Sequence, residues 1–230
     1  MCGRVEYGSS SETAKRLGVK DSDTPREGDN NAFPYKGTFL FGLADRAPDT
    51  LRHFHWPLVP SSCTEYPTYN TSNARSEDMH TKSSYQPLLG KRHCIIAVEG
   101  FYEWERKGNK TPYYFSMADG SIMRYAGLWD YNTKLDAPIL SCTIITREPN
   151  EIIGEVHDRM PVFLTPEVFD EWLAPTKLST VEERETVVAK LEEVSGEVAS
   201  TITKYEVDRR VNNSRKASPE DAKLIEPVRG

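Results

Sequence analysis

Residues 93–104 of the chain read HCIIAVEGFYEW. The first half of this stretch is rich in Ile and Val, which favour a pleated, half-buried backbone, so residues 93–98 predict a β-strand. Segments of the same kind recur on both sides of it, at residues 38–43, 51–59, 113–117, 122–128, 139–146 and 201–207. Asp119 and Gly120 stand between two of these segments and predict the turn of a hairpin.

Helical signals lie towards the two ends of the chain. Ser10 or Ser11 caps a short predicted helix that Gly18 ends. Capping signals late in the chain predict two further helices, over residues 165–173 and 180–196. Because the strands follow one another instead of alternating with long helices, the sequence predicts an α+β fold. Its sheets are expected to be bent and largely antiparallel, in a single domain over residues 1–230.

The composition is that of a globular protein. Of its 230 residues, 37% are hydrophobic and 10% aromatic, which is enough apolar mass for a core. No apolar run approaches the roughly 20 residues that a membrane helix needs, and the polar N-terminus lacks the apolar stretch of a secretory signal. We therefore expect a cytoplasmic protein, or a nuclear one in a eukaryote. The net charge of -6 argues against a general basic footprint but allows a local basic cleft.

The cysteines give no sign of a metal site. The chain has four, Cys2, Cys63, Cys94 and Cys142, without any CxxC pair and without a histidine at metal-ligand spacing. Cys94 and Cys142 each lie inside an apolar run and are expected to be buried core thiols. No metal and no cofactor are predicted.

The second residue carries unusual chemistry. If Met1 is removed, Cys2 becomes the N-terminal residue and presents an amine and a thiol on adjacent carbons. The amine, with a pKa of roughly 7.7 to 8, can condense with an aldehyde, and the thiol can then close a thiazolidine ring. On this evidence alone, Cys2 is equally well an ordinary small residue after the start codon.

Three further polar clusters accompany the Met1-Cys2-Gly3-Arg4 start of the chain. They read NARSE at residues 73–77, EGFYEW at 99–104 and HDRMP at 157–161. With a strand centred on Trp56 and the tail segments 211–213 and 224–227, they resemble the SRAP (SOS response-associated peptidase) family. Members of that family sense abasic sites in single-stranded DNA and crosslink to them through an N-terminal cysteine. The resemblance covers nearly the whole chain and implies a barrel-like β-core with peripheral helices.

The resemblance implies four catalytic residues. Cys2 is the nucleophile, whose amine attacks the ring-opened deoxyribose aldehyde and whose thiol closes the ring. Glu103 assists proton transfer, and burial among aromatic neighbours is expected to raise its pKa towards the working range. His157 exchanges protons during imine formation and reversal. Asn73 orients the sugar or the backbone of Cys2 through its amide.

The DNA contacts are expected from residues that flank these clusters. Arg4, Arg75 and Arg159 carry guanidinium groups that can bind phosphate oxygens bidentately, and Thr146 can add a hydroxyl contact. The expected partner is single-stranded DNA that contains an abasic site. The protein is expected to be a monomer that binds neither a membrane nor a metal. Trp56 and Trp104 are aromatic candidates for stacking on bases, although both are expected to fill the core.

One segment departs from the family pattern. Members usually carry Trp-Gly where this chain has Trp56-Pro57, followed by Pro60-Ser61-Ser62-Cys63 instead of another tryptophan. The preference between single strands and single-to-double-strand junctions therefore stays open.

Two alternatives belong to other functional classes. A thiol-dependent peptidase would use Cys2 to attack a peptide bond with His157 as its base, and removal of Met1 would be its self-directed act. A noncatalytic module would bind single-stranded or modified DNA through its arginines.

Overall fold

The structure is a computed structural model that describes residues 3–21, 38–45, 48–106, 108–174, 178, 180–213, 217–218 and 221–228. The strands in these ranges are β1 (Val5–Glu6), β2 (Thr38–Ala44), β3 (Arg52–Trp56), β4 (Asn73–Arg75), β5 (His93–Val98), β6 (Gly100–Trp104), β7 (Pro112–Met117), β8 (Met123–Asn132), β9 (Ile139–Arg147), β10 (Met160–Pro161) and β11 (Ile202–Glu206). The α-helices are α1 (Ser10–Leu17), α2 (Glu151–Gly154), α3 (Phe169–Leu173) and α4 (Val181–Ala199).

A closed β-barrel of 5 strands forms the centre of the molecule. Strand β2 pairs with β3 and β5, β5 pairs with β8, and β8 pairs with β9, all antiparallel. A parallel contact between β3 and β9, with His55 opposite Ser141, closes the ring. Strands β4 and β10 extend it along β9. In a closed ring every strand pairs on both sides, so no strand edge is open to water. Strand β5 pairs with β2 and β8, and all of its residues are buried.

A second sheet carries the start of the chain. It has 4 strands in the order β1-β6-β7-β11, and all its pairs are antiparallel. Val5 lies opposite Phe101 and Glu6 opposite Gly100, so β1 runs alongside β6. Gly100 is needed at this place because a Cβ would lie 2.3 Å from the Tyr114 hydroxyl and 2.6 Å from the Phe115 carbonyl oxygen.

The core is continuous across the barrel and the helices that cover it. The buried side chains Val188 and Leu191 dock α4, which begins at a capping box between Thr180 and Glu183. Both Cys94 and Cys142 are fully buried, and burial raises the pKa of each thiol. The prediction that these two cysteines are core thiols is confirmed.

The predicted fold class is confirmed, and most predicted strands are present. The prediction of a hairpin at Asp119-Gly120 was wrong. A turn occurs there and Gly120 has a φ of 71°, but β7 enters the small sheet and β8 enters the barrel. Ser9, and not Ser10 or Ser11, caps α1. The predicted helix at 165–173 begins as a 3-10 turn over Pro166–Val168.

The last predicted helix continues to Ala199, beyond the expected end at residues 195–196. Among the described helices, none has the length and apolar character that a bilayer crossing requires.

Candidate functional site

Glu103 is a buried carboxyl group on β6. The strand alternates its side chains, so Tyr102 packs with Tyr114 on one side while Glu103 points to the other. Glu103 is only 4% exposed, and this burial raises its pKa to about 7. A carboxyl group with such a pKa exists in both protonation states near neutral pH, so it can give or take a proton.

His157 faces Glu103 from the segment after α2. Its Nε2 lies 3.9 Å from Glu103 Oε2, and its Nδ1 accepts a hydrogen bond of 3.1 Å from the backbone N–H of Arg159. Burial lowers the pKa of His157 to about 4. The ring is therefore neutral at pH 7, and because Nδ1 acts as an acceptor, the proton resides on Nε2, on the Glu103 side.

A surface ion pair lies beside this histidine. Asp158 Oδ1 is 3.2 Å from His157 Nδ1, and the other oxygen of Asp158 pairs with Arg106. The side chains of Arg106 and Asp158 are 58% and 55% exposed. The close approach to Nδ1 is a hydrogen bond only when the ring is protonated, because the neutral ring uses that lone pair for the Arg159 amide.

Glu103 and His157 open into a cleft of about 460 Å³, called the Glu103 cleft below. Its other lining residues are Arg4, Trp104, Glu105, Arg106, Lys110 and Asn212. The guanidinium carbon of Arg4 lies 4.8 Å from the centre of the Trp104 ring, and Arg4 also donates to the Val211 carbonyl oxygen. Trp104 Nε1 donates to Asn212 Oδ1 at 2.5 Å. The cleft thus combines a buried acid, a neutral imidazole and three cations.

A sequence model of the SOS response associated peptidase (SRAP) family matches residues 1–214. The chain belongs to the SRAP family. The abasic site processing protein YoqW of Bacillus subtilis is 34% identical over 182 residues, which is 77% of this chain and 78% of that protein. The abasic site processing protein HMCES of Gallus gallus is 29% identical over 204 residues, 77% of this chain and 58% of that protein.

Solved structures agree with this SRAP fold. A crystal structure of a Bacteroides thetaiotaomicron protein superposes with a TM-score of 0.78 at 23% identity, over 99% of this chain and 100% of that one. A second crystal structure, from Bordetella bronchiseptica, gives a TM-score of 0.71 at 21% identity, over 90% of this chain and 100% of that one. These likenesses concern the fold alone.

The structure brings three of the sequence-predicted SRAP residues together, namely Arg4, Glu103 and His157. Asn73 and Arg75 line another cleft of about 500 Å³, called the Asn73 cleft, where Arg75 is exposed. Cys2 lies outside the described residues.

Arg159 and Thr146, the other two predicted DNA contacts, are buried and bonded to protein groups. Arg159 is 8% exposed, donates to both carboxylate oxygens of Glu77 at 2.6 and 2.8 Å, and donates to the Thr146 carbonyl oxygen at 2.7 Å. The Thr146 hydroxyl is buried and donates to the Ala74 carbonyl oxygen at 3.3 Å. Both residues therefore connect β4 and the Glu77 segment that follows it with β9, and Arg159 anchors the chain two residues after His157.

The two tryptophans differ in their placement. Trp56 is 2% exposed and donates from Nε1 to the Ser72 carbonyl oxygen, so its prediction as a core residue is confirmed. Trp104 was expected in the core as well, but it forms a wall of the Glu103 cleft. This expectation was correct only in part, because Trp104 is half-buried at the end of its strand and contacts Arg4 on the cleft side. It also packs against a small hydrophobic cluster beside the four-stranded sheet, formed by Tyr102, Tyr114, Val207, Val211 and Leu224.

Sequence reasoning missed Arg106 and Lys110 as cleft residues. Both belong to the loop after β6, and isolated cations in a loop are indistinguishable from ordinary surface charge. Asn212 lies in the tail segment that contributed to the family resemblance, but no role was assigned to it. Among the described residues, no three His, Cys, Asp or Glu side chains come together as metal ligands would.

Proposed function

We propose that this protein processes abasic sites in single-stranded DNA and does so by forming a thiazolidine crosslink through Cys2. The observation that carries the proposal is the buried Glu103 carboxyl, with a pKa of about 7, facing the neutral His157 ring at 3.9 Å in a cation-lined cleft. The names of the relatives, abasic site processing proteins, agree with a role at abasic sites.

The reaction needs a proton acceptor and a proton donor at one place. The ring-opened sugar presents an aldehyde; the Cys2 amine adds to its carbon, and the resulting carbinolamine loses water to give an imine. The thiol then adds to the imine carbon and its proton ends on the nitrogen. Since the pKa of Glu103 is close to the roughly 7.7 to 8 of an α-amine, proton transfer between them is nearly balanced.

Covalent connectivity supports a role for Cys2 at this cleft. Arg4 is fixed on β6 because its carbonyl oxygen accepts from the Tyr102 N–H at 3.0 Å, while its side chain packs on Trp104. Consecutive Cα atoms are about 3.8 Å apart, so the Cα of residue 2 is at most about 7.6 Å from that of Arg4. Arg4 therefore serves to hold the first strand beside Glu103.

His157 supplies a complementary hydrogen-bond donor. Its neutral ring offers the Nε2 proton on the Glu103 side, where it can hydrogen-bond to a sugar or carbinolamine oxygen. The same contact supports loss of water and, in the opposite direction, attack of water on the imine during reversal. Asn73 is proposed to orient the sugar, from the Asn73 cleft.

The DNA backbone is held by few charges. The exposed Arg75 is the candidate for a phosphate contact in the Asn73 cleft, and Arg4 is a second in the Glu103 cleft. Because the net charge is -6 and few phosphates are neutralised, binding to intact DNA is expected to be weak and salt-sensitive. We further propose that the protein acts as a monomer and without a metal, in the cellular compartment that contains the DNA it processes.

The test uses protein whose loss of Met1 is verified by intact mass. It is mixed with a single-stranded oligonucleotide that bears one abasic site and run on a denaturing gel beside Cys2→Ala and Cys2→Ser. A heat-stable band that requires Cys2 is the expected result. A thiazolidine and an imine have the same mass, so the adduct is also treated with borohydride before mass spectrometry: an imine gains two hydrogens, whereas a thiazolidine keeps its mass.

Two outcomes would replace the proposal. Cleavage of a supplied peptide that disappears in Cys2→Ser would support a thiol peptidase. A mobility shift of the abasic oligonucleotide on a native gel, without a shifted band on the denaturing gel, would support a binding module.

A further inference from the structure

We propose that Arg106 is a substrate-responsive positioning residue. A DNA phosphate that enters the Glu103 cleft draws Arg106 away from Asp158, and the freed Asp158 carboxylate then stabilises the protonated form of His157. This inference rests on the proposed function, since it describes how the acid-base pair of that reaction is set by DNA.

The ion pair joins the two segments that carry the acid-base residues. Arg106 follows the strand of Glu103, and Asp158 follows His157 directly in the chain. Both members are more than half exposed, and Arg106 lines the cleft. An exposed ion pair is weak, and a phosphate group offers a guanidinium the same bidentate geometry as a carboxylate. A phosphate is therefore a competent competitor for Arg106.

The groups around His157 make its charge depend on this pair. Glu103 faces Nε2, while Asp158 and the Arg159 amide face Nδ1, and Arg106 lies beyond Asp158. Burial is the main cause of the low pKa of His157, and the positive charge of the amino terminus lowers it further; the Asp158 charge raises that pKa and the Arg106 charge lowers it. Departure of Arg106 removes an opposing cation and leaves a carboxylate 3.2 Å from Nδ1.

The consequence is that bound substrate increases the fraction of His157 rings that carry a second proton. The proton that His157 gains comes from solvent, and Nδ1 then donates to Asp158 in place of accepting from the Arg159 amide. The resulting imidazolium lies 3.9 Å from the Glu103 carboxyl and favours its ionised form, which is the form that accepts a proton from an α-amine.

The first experiment measures the charge of His157 without any crosslinking. Nitrogen-15 NMR follows the His157 ring against pH in the wild type, Arg106→Gln, Asp158→Asn and Lys190→Gln, over the range where circular dichroism shows the fold intact. Lys190 is the matched control, because its ion pair with Glu171 is similarly exposed, at 51% and 63%, and lies outside the cleft. Arg106→Gln should raise the pKa of His157, Asp158→Asn should lower it, and Lys190→Gln should leave it unchanged.

The second experiment adds an oligothymidylate that lacks an abasic site. It should raise the pKa of His157 in the wild type and clearly less in Arg106→Gln, where Asp158 is already free. Arg106→Gln should also lower the slope of log affinity against log salt by about 0.7, the value for one phosphate contact on a single strand. An equal rise in both proteins, or an Arg106→Gln titration that matches the wild type, would overturn the inference.

These readouts do not require a crosslink, so the two proposals can fail separately. If the wild type forms no Cys2 adduct but its His157 titration responds as described, only the proposed function fails. If the adduct forms while the titration is insensitive to Arg106, only the phosphate-responsive ion pair fails. If both proposals hold, crosslinking by Arg106→Gln should keep its rate up to a higher pH than crosslinking by the wild type.

Discussion

Replacing Glu103 by glutamine should stabilise the folded protein at the expense of its chemistry. The pKa of this buried carboxyl rises from the ordinary 4.5 to about 7. The folded protein thus holds the Glu103 proton more tightly than the unfolded chain, and stability falls as pH rises between those two values. One pKa unit corresponds to about 1.4 kcal/mol, so ionised Glu103 costs about 3 kcal/mol above pH 7.

The assay is urea unfolding of the wild type and Glu103→Gln at pH 5 and pH 8. Relative to the wild type, the variant should gain about 2.5 kcal/mol in free energy of unfolding between the two conditions, with little difference at the acid end. Glu105→Gln removes a carboxylate from the same cleft and serves as the control for lost charge. A variant whose advantage is the same at both pH values would refute the burial-based account of Glu103. Crosslinking by Glu103→Gln should be slower throughout.

Three structural substitutions give further tests by urea unfolding. Gly100→Ala should cost about 1–3 kcal/mol because its Cβ would lie 2.3 Å from the Tyr114 hydroxyl; an unchanged midpoint would contradict this contact. Arg159→Lys should cost about 1–3 kcal/mol, since a lysine cannot reproduce the two bonds to Glu77, and Arg159→Gln should not be better tolerated. Thr180→Ala should cost about 1 kcal/mol by removing the cap of α4, whereas Thr180→Ser should retain most of it.

Strands with a continuous apolar pattern could be predicted from the sequence alone. Residues 93–98 match β5 to the residue, because a strand buried on both faces has a pattern that needs no knowledge of its partners. The short strands β1 and β10, of 2 residues each, carry no such pattern and exist only through their pairing. The turn at Asp119-Gly120 shows the same limit, since a local signal does not tell which sheet each flanking strand joins.

Some residues of the candidate site could be predicted from the sequence, and others could not. The choice of Glu103 and His157 as catalytic residues followed from the segments in which they lie, through the family resemblance. Their approach to 3.9 Å was not predicted, because the two residues are far apart in the chain. The contact between Arg106 and Asp158 was beyond sequence reasoning, since it depends on how the loop after β6 meets the segment after α2. Arg159 looked like a phosphate ligand by residue type, but burial and two carboxylate bonds give it a structural place.

The first strand is held by the last part of the chain. Arg4 donates to the Val211 carbonyl oxygen, and Trp104, on which Arg4 packs, donates to Asn212. Arg4 and Trp104 are synthesised more than 100 residues before Val211 and Asn212, so both side chains lack these partners until that later segment leaves the ribosome. The wall that Arg4 and Trp104 form gains its support only at that point. The Glu103 cleft therefore takes its final form late in translation.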